Sequence, residues 1–187
     1  MARGELIAIV GCMFAGKTEE LFRLLVRAKY AKKSVMVFKH TKDDRCFPDR
    51  IETHDGRSHP ATAISDAQLM YDLVHAAKVA SVDVVAIDEI QFFEPDVLDA
   101  MQALTRSGIT VMATGLTTDF RGKPYKHVPQ LMAIADEICI CTAICVQCGK
   151  EANRSQLLVA PPEHGQDKPG GKGMYEARCR DCHRPPS

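Results

Sequence analysis

One stretch near the N-terminus decides the fold: Glu5-Leu-Ile-Ala-Ile-Val-Gly-Cys-Met-Phe-Ala-Gly-Lys-Thr18. Residues 6–10 are all apolar, which is typical of a strand buried on both faces in a parallel sheet. Residues 11–18 match G-x-x-x-x-G-K-[ST], the phosphate-binding loop that joins such a strand to a helix. Backbone N–H groups of this loop wrap phosphates, and the helix N-terminus adds a positive field. The predicted phosphate contacts are Gly11, Cys12, Met13, Phe14, Ala15, Gly16, Lys17 and Thr18, with Lys17 at the β- and γ-phosphates and the Thr18 hydroxyl on Mg²⁺.

Strand and helix patterns alternate over the next 125 residues or so, which predicts an α/β architecture with a mainly parallel sheet flanked by helices. A period of 3.6 predicts a helix from Lys17 and further helices over 95–108 and 127–136. Ser65 and Gln68 have the spacing of a capping box, before a helix expected to bury Leu69, Leu73, Ala76, Ala77 and Ala80. Residues 40–63 show no period and are interpreted as a loop or hairpin. Further strands are expected over 34–38, 83–88, 109–113 and 137–143.

The composition bounds the class of protein. A chain of 187 residues with 45% hydrophobic and 26% charged residues has room for one domain and a small appendage. Its 24 basic residues equal its 24 acidic ones, which disfavours nucleic-acid binding through bulk charge. It contains no apolar run long enough to cross a bilayer and no cleavable leader pattern, so we expect a cytoplasmic protein with no membrane or nucleic-acid partner.

Two acidic residues follow the apolar run 84–87. Asp88 ends the predicted strand, where a carboxylate is placed to hold Mg²⁺ directly or through water. Glu89 follows at once, and it is predicted to face an acceptor and to take its proton as the catalytic base. An ordinary solvated carboxylate is the alternative interpretation of Glu89.

The cysteines are unevenly spread. Cys145 and Cys148 form one C-x-x-C pair, and Cys179 and Cys182 form a second, which together predict a closed structural Zn²⁺ site. His183 could replace Cys182 as the fourth ligand. The composition changes after Cys145, so we expect an ATP-binding domain over 1–144 and a small, ribbon-like zinc-binding domain over 145–187. Cys12 lies in the phosphate loop, where the helix N-terminus is expected to lower its thiol pKa.

Taken together, the motifs resemble the type II, cellular and bacterial class of thymidine kinase. The matching stretches are 11–18, Asp88-Glu-Ile-Gln-Phe-Phe93, Asp119-Phe-Arg-Gly-Lys-Pro124, 142–149 and 175–179, in the order the family has them. The resemblance implies a RecA-like ATP-binding domain joined to a zinc domain whose lasso loop covers the nucleoside. It also implies phosphoryl transfer from ATP with Mg²⁺ to the 5′-hydroxyl of thymidine, and the salvage of deoxynucleotides for DNA synthesis.

Residue roles follow from the same resemblance. Glu89 falls on the family's catalytic base, and Gln91 is assigned to the ATP and Mg²⁺ contacts. The implied nucleoside contacts are Met13, Phe92, Leu116, Phe120, Tyr125, Gly170, Gly171 and Tyr175. A homotetramer and feedback inhibition by thymidine triphosphate are further implications. The chain departs from the family pattern at Thr117, where Asp is usual, and over 166–169 beside the lasso glycines.

Two other functions fit part of this pattern. An ATP-binding module whose zinc segment grips nucleic acid or a partner would require a basic face, whereas residues 145–187 mix acidic and basic residues. An ATPase without an acceptor would require a residue that positions water. The pairing of residues 88–93 with 119–124 favours the nucleoside kinase.

Overall fold

The computed structural model describes residues 3–43, 47–53, 55–77, 82–160, 170–171 and 173–185. Its centre is a six-stranded sheet in the order β5-β2-β6-β7-β1-β8, in which every neighbouring pair is parallel. The strands are β1 (Leu6–Gly11), β2 (Val35–His40), β5 (Thr62–Ile64), β6 (Val84–Asp88), β7 (Thr110–Leu116) and β8 (Glu137–Cys141). The helices are α1 (Lys17–Tyr30), α2 (Ala67–Ala77), α3 (Val97–Arg106) and α4 (Val128–Ile134). The predicted α/β fold is therefore confirmed.

Both faces of the central strands β1, β6 and β7 are buried, as the apolar strand at the N-terminus predicts, whereas the edge strand β8 is largely exposed. Leu6, Ala8 and Val10 of β1 point into the larger core, which also contains residues of α2, α3 and α4. Ile7 and Ile9 point into the opposite core, which α1 covers. This alternation follows from the period of two along a strand. Full burial of each such aliphatic side chain contributes about 1.5–3 kcal/mol to stability.

Three expectations about local structure need correction. Residues 40–63 contain a hairpin of β3 (Arg50–Glu52) and β4 (Ser58–Pro60), but they also supply the edge strand β5, which is too short to show a period. The predicted capping box is wrong, because the Leu69 N–H donates its hydrogen bond of 2.7 Å to Asp66 Oδ1 and not to Ser65. Leu69 is 41% exposed rather than buried. The side chains of the other four residues expected on that face lie outside the described residues.

The carboxyl ends of the central strands bring the predicted motifs to one edge of the sheet. β1 ends at Gly11, β6 at Asp88 and β7 at Leu116, and these strands are neighbours or next neighbours. Gly11 has no room for a side chain, since a Cβ there would lie 2.4 Å from the Cys141 carbonyl oxygen. In open parallel sheets this edge is where ligands bind.

The C-terminal segment forms two small antiparallel ladders beside this edge. β9 (Ala143–Ile144) pairs with β10 (Glu151–Ala152), and β11 (Arg154–Leu157) pairs with β12 (Tyr175–Arg178). The domain boundary after residue 144 stays a prediction. Among the described residues, no helix has the length and apolar character needed to cross a membrane.

Candidate active site

The phosphate loop has the backbone that its glycines predict. Gly16 adopts the left-handed conformation at φ 79°, which L side chains rarely adopt, and α1 begins at the next residue. Lys17 is buried, and its Nζ donates a hydrogen bond of 3.0 Å to the Cys12 carbonyl. Residues 13–19 line a cleft together with Glu89 and Gly171. Six of the eight predicted phosphate contacts, residues 13–18, therefore line one cleft at a helix N-terminus, whereas Gly11 and Cys12 do not line it.

The acidic pair is buried at the end of β6. Asp88 is 2% exposed and Glu89 is 4% exposed, so Glu89 is not an ordinary solvated carboxylate. Glu89 has φ 54°, a left-handed conformation that ends the strand and starts a short 3₁₀ helix over Ile90–Phe92. Such a backbone costs about 1–3 kcal/mol for a residue with a side chain.

Side chains on neighbouring elements hold the pair in place. Thr114 Oγ1 donates to Asp88 Oδ1 over 2.6 Å and accepts the Glu89 N–H over 2.8 Å. Gln91 Nε2 donates to Glu89 Oε2, while Gln91 Oε1 accepts the Leu116 N–H at 3.3 Å. The orientation of the Glu89 carboxylate is therefore set by a buried amide, which is itself fixed to β7.

A second cleft lies beside the first and contains about 530 Å³ of empty space, open solvent included. Its aromatic walls suit a flat ring. Seven of the eight residues predicted to contact a nucleoside line it: Met13, Phe92, Leu116, Phe120, Tyr125, Gly170 and Tyr175. The eighth, Gly171, lines the phosphate-loop cleft. The assignment of these residues to a nucleoside remains a prediction.

Gln91 does not line the cleft of the phosphate loop, although the family resemblance assigns it to the ATP and Mg²⁺ contacts. Its side chain is fully buried and lines the second cleft rather than the phosphate-loop cleft. Its amide contacts the Glu89 carboxylate and the backbone of Leu116. The nucleotide contact stays a prediction, and the observed contacts are those of a group that orients Glu89.

Met13 and Glu89 line both clefts. The two clefts therefore meet at these residues, with the phosphate loop on one side and the aromatic walls on the other. A carboxylate at the junction can contact a group bound in either cleft. This is the arrangement that transfer between two bound molecules requires.

Four further residues line the second cleft without having been predicted to do so: Asp43, Thr118, Asp119 and Ser155. Asp43 forms a buried ion pair with Lys39, with Nζ and Oδ2 3.6 Å apart. Asp43 lies in the segment that the sequence predicts to be a loop or hairpin, of which residues 44–46 lie outside the described part. Ser155 could not be identified from the sequence, because only the folded chain brings its Oγ within 3.0 Å of the Met13 backbone nitrogen, whose N–H it accepts.

The wall that carries Phe120 is a turn fixed by one carboxylate. Asp119 Oδ1 accepts the backbone N–H groups of Arg121 and Lys123, both at 2.9 Å. Gly122 in this turn has φ 77°, a left-handed conformation. The Arg121 guanidinium lies 4.3 Å from the centre of the Phe120 ring, so a cation–π contact covers one side of that ring.

Two side chains donate hydrogen bonds to the backbone of the turn after Glu89. Lys126 Nζ donates to the Gln91 carbonyl and His127 Nε2 donates to the Ile90 carbonyl, each over 3.0 Å. Burial lowers the pKa of His127 below its ordinary value, against the opposing effect of the Ile90 hydrogen bond. The imidazole is therefore held neutral as a donor to the backbone beside the acidic pair.

The four predicted cysteine ligands converge. Their sulfur atoms all lie within 4.8 Å of one another, and the Cys148 and Cys179 sulfurs are 3.6 Å apart. Tetrahedral Zn²⁺ with bonds of about 2.3 Å needs ligand sulfurs about 3.8 Å apart, so these thiols fit the ion. His183 Nε2 instead lies 3.0 Å from the Phe120 carbonyl, which favours Cys182 over His183 as the fourth ligand.

The cysteine cluster packs directly on the phosphate loop. Cys12 shares a buried cluster with Cys145, Ala152 and Cys179, and Phe14 and Ala15 pack against it. Cys12 Sγ also donates to the Ala152 carbonyl at 3.4 Å. Burial raises the pKa of the Cys12 thiol, so the expectation of a lowered pKa is wrong. The desolvation of this fully buried thiol outweighs the charge of nearby Lys17.

The predicted lasso is described only in part. Gly170 approaches Met174 so closely that a Cβ would lie 2.5 Å from its Sδ, and Tyr175 begins β12. The segment 166–169, where the chain departs from the family pattern, lies outside the described residues.

Comparison with known proteins gives one match over nearly the whole chain. The family model described as thymidine kinase matches residues 4–183. Among solved structures, the genome packaging NTPase B204 from Sulfolobus turreted icosahedral virus 2 in complex with ATP-gammaS has a TM-score of 0.48 at 14% identity. The same NTPase in complex with sulfate has a TM-score of 0.48 at 15% identity. Each alignment covers 79% of this chain and 77% of the other chain.

Proposed function

Because this chain belongs to the thymidine kinase family, we propose that it transfers the γ-phosphoryl group of ATP to the 5′-hydroxyl of thymidine. The products are thymidine monophosphate and ADP. In this proposal ATP occupies the phosphate-loop cleft and thymidine occupies the aromatic cleft.

The position of Glu89 is the observation that carries this proposal. Its side chain lines both clefts, so it lies between the proposed donor and the proposed acceptor. A general base must reach the hydroxyl proton that it removes, and the acceptor oxygen must at the same time point at the donor. A residue at the junction of the clefts can meet both conditions.

The proposed step transfers one phosphoryl group and moves one proton. The 5′-hydroxyl oxygen forms a bond to the γ-phosphorus, and the bond from that phosphorus to the bridging oxygen of ADP breaks. The hydroxyl proton moves to a Glu89 carboxylate oxygen. Gln91 Nε2 donates a hydrogen bond to Oε2 of this carboxylate and so orients it for the proton transfer. Phosphoryl transfer depends mainly on positioning and on charge stabilisation.

Residues of this chain are assigned to stabilise the phosphate charge and to shield the reaction from water. Lys17 is assigned to the β- and γ-phosphates, for which its bond to the Cys12 carbonyl must be exchanged. Thr18 and Asp88 would hold Mg²⁺, which neutralises phosphate charge when bound. Burial of Asp88 and Glu89 excludes water from the junction and favours transfer to the nucleoside over hydrolysis.

Recognition of the nucleoside is assigned to the aromatic cleft. Phe120 and Tyr175 belong to one buried cluster and supply apolar surface for a base. The backbone of Gly170 and Gly171 is assigned to the polar edge of thymine.

Zn²⁺ is assigned a structural role at Cys145, Cys148, Cys179 and Cys182, where it would fix the segments that carry these cysteines. A homotetramer, inhibition by thymidine triphosphate and a cytoplasmic location complete the proposal.

The experiment that tests this function measures ADP release from the purified protein with Mg·ATP. Thymidine, deoxyuridine, deoxycytidine and deoxyguanosine are added in parallel, and thymidine monophosphate is quantified by mass spectrometry. We expect strong stimulation by thymidine and equal amounts of the two products. ADP release that no nucleoside stimulates would contradict the proposal and would favour an ATPase or an ATP-dependent switch.

A further inference from the structure

Thr118 lies in the wall of the aromatic cleft, close to the end of β7. Its Oγ1 is a buried side-chain oxygen with no hydrogen-bond partner among the described residues. A hydroxyl can donate one hydrogen bond and accept two. Leaving such a group buried and unpaired typically costs about 1–3 kcal/mol, so its presence in a cleft wall requires an explanation.

The other polar side chains of this cleft all have protein partners. Glu89 and Gln91 bond each other, Asp119 accepts two backbone N–H groups, and Ser155 accepts the Met13 N–H. Asp43 is paired with Lys39, and both tyrosines of the cleft also have partners. Among the described residues that line this cleft, Thr118 Oγ1 is thus the buried side-chain oxygen that has no hydrogen-bond partner in the protein.

We infer that the half-buried Thr118 side chain rotates about χ1, which turns Oγ1 from its buried position into the cleft, and that Oγ1 then forms a hydrogen bond with the bound nucleoside and contributes to its selection. This inference rests on the proposed function, because it takes the occupant of the cleft to be thymidine. The nucleoside offers two ring carbonyl oxygens, a ring N–H and two sugar hydroxyls, each of which can pair with a threonine hydroxyl. A site that pairs a buried hydroxyl with its ligand discriminates against ligands that leave it unpaired.

Three variants test this role. Thr118→Val removes the hydroxyl at nearly constant shape, and Thr118→Ser keeps it. Thr117→Val makes the same change at the adjacent half-buried threonine, which does not line the cleft. The measurement is the dissociation constant for thymidine by titration calorimetry without ATP, together with the melting temperature of each ligand-free protein.

We expect Thr118→Val to weaken thymidine binding by about tenfold, whereas Thr118→Ser and Thr117→Val stay within about twofold of the unchanged protein. The melting temperature of ligand-free Thr118→Val should be equal or higher, because the substitution removes a buried unpaired hydroxyl. A residue with a merely structural role would lower both affinity and melting temperature. The same titration with 3′-deoxythymidine identifies the paired atom, since the effect of Thr118→Val disappears if the partner is the sugar 3′-hydroxyl.

Two results would overturn the inference, and a third concerns the proposed function. Unchanged thymidine affinity in Thr118→Val would show that the hydroxyl does not contact the nucleoside. A lower melting temperature for that variant would show that Oγ1 has a structural partner. If the unchanged protein itself does not bind thymidine, the proposed function fails and the inference fails with it.

Discussion

Thr114 Oγ1 donates a hydrogen bond to Asp88 Oδ1 over 2.6 Å while it accepts the backbone N–H of Glu89 over 2.8 Å. One hydroxyl on β7 thus fixes both acidic residues at the end of β6. It also bonds the backbone N–H of a residue that has a left-handed conformation and lines both clefts. Thr114 is therefore a positioning residue for the proposed reaction.

Replacing Thr114 with valine should slow phosphoryl transfer without weakening thymidine binding. The substitution removes the shared hydroxyl, and a small displacement of a catalytic group typically lowers the rate by about 10- to 100-fold. We expect kcat to fall by that factor while the thymidine dissociation constant stays within about twofold. The free energy of unfolding should fall by about 1–3 kcal/mol, since buried polar groups lose a partner.

Thr114→Ser is the matched control, because it keeps the hydroxyl and should restore most of the rate. Steady-state kinetics and calorimetry on the two variants separate the rate from binding. Equal rates for Thr114→Val and the unchanged protein would remove Thr114 from this role.

Loss of metal from the four-cysteine cluster should loosen the phosphate loop as well as the zinc segment. The Met13 N–H is bonded to Ser155 on β11, and Cys12 packs on Cys145 and Cys179. Because these contacts depend on strands next to the cluster, chelation should speed hydrogen exchange at the Met13 amide by at least about tenfold. The amide of Ile9 inside β1 should stay protected.

Cys182→Ser provides the genetic form of this test and should lower the zinc content and increase Met13 exchange in the same way. If chelation removes zinc but leaves the Met13 amide as protected as before, the cluster does not support the phosphate loop.

The neutral state of His127 makes stability depend on pH. Burial, and to a lesser degree the charge of Lys126, lower its pKa, whereas the Ile90 carbonyl, Glu94 and Asp96 act in the opposite direction. The folded state therefore binds this proton less readily than the unfolded chain, whose histidine pKa is about 6.5. The contribution to stability is complete above about pH 6.5 and is lost as the pH falls through the folded pKa.

The free energy of unfolding, measured with denaturant between about pH 8 and pH 5, checks the direction of this pH dependence. Stability should fall on acidification, and His127→Gln, which keeps a donor for the Ile90 carbonyl, should show a smaller fall. His40 is a second histidine whose pKa burial lowers, so part of the fall should remain in His127→Gln. An unchanged dependence on pH in His127→Gln would assign the effect to other groups.

The sequence predicted the parts of the fold that strong local patterns encode. A continuous apolar run, a glycine-rich turn and an amphipathic helix identify β1, the phosphate loop and α1 without reference to any distant residue. The four cysteines are similarly informative, because few other sites use two C-x-x-C pairs. β5 was missed since three residues cannot display a period, and its pairing with β2 is a long-range contact.

Contacts between distant segments account for what sequence reasoning missed at the site. Ser155, Thr118 and Thr114 are ordinary hydroxyl residues in the sequence, and their roles follow only from their neighbours in the fold. The Cys12 pKa was predicted from the helix N-terminus alone, whereas the C-terminal segment buries that thiol. Asp66 replaced Ser65 as the helix cap because either side chain suits the position and the helix begins one residue later.

The proposed reaction requires Glu89 to take the proton of an acceptor held between the two clefts. The most direct test is the single-turnover rate of thymidine monophosphate formation by Glu89→Gln, with saturation by both ATP and thymidine verified by calorimetry. The amide keeps the shape and can still contact Gln91, but it cannot accept the proton. We predict a rate about 10²- to 10⁴-fold below that of the unchanged protein, with both affinities retained. A rate within about threefold of the unchanged protein, with both ligands bound, would contradict the account.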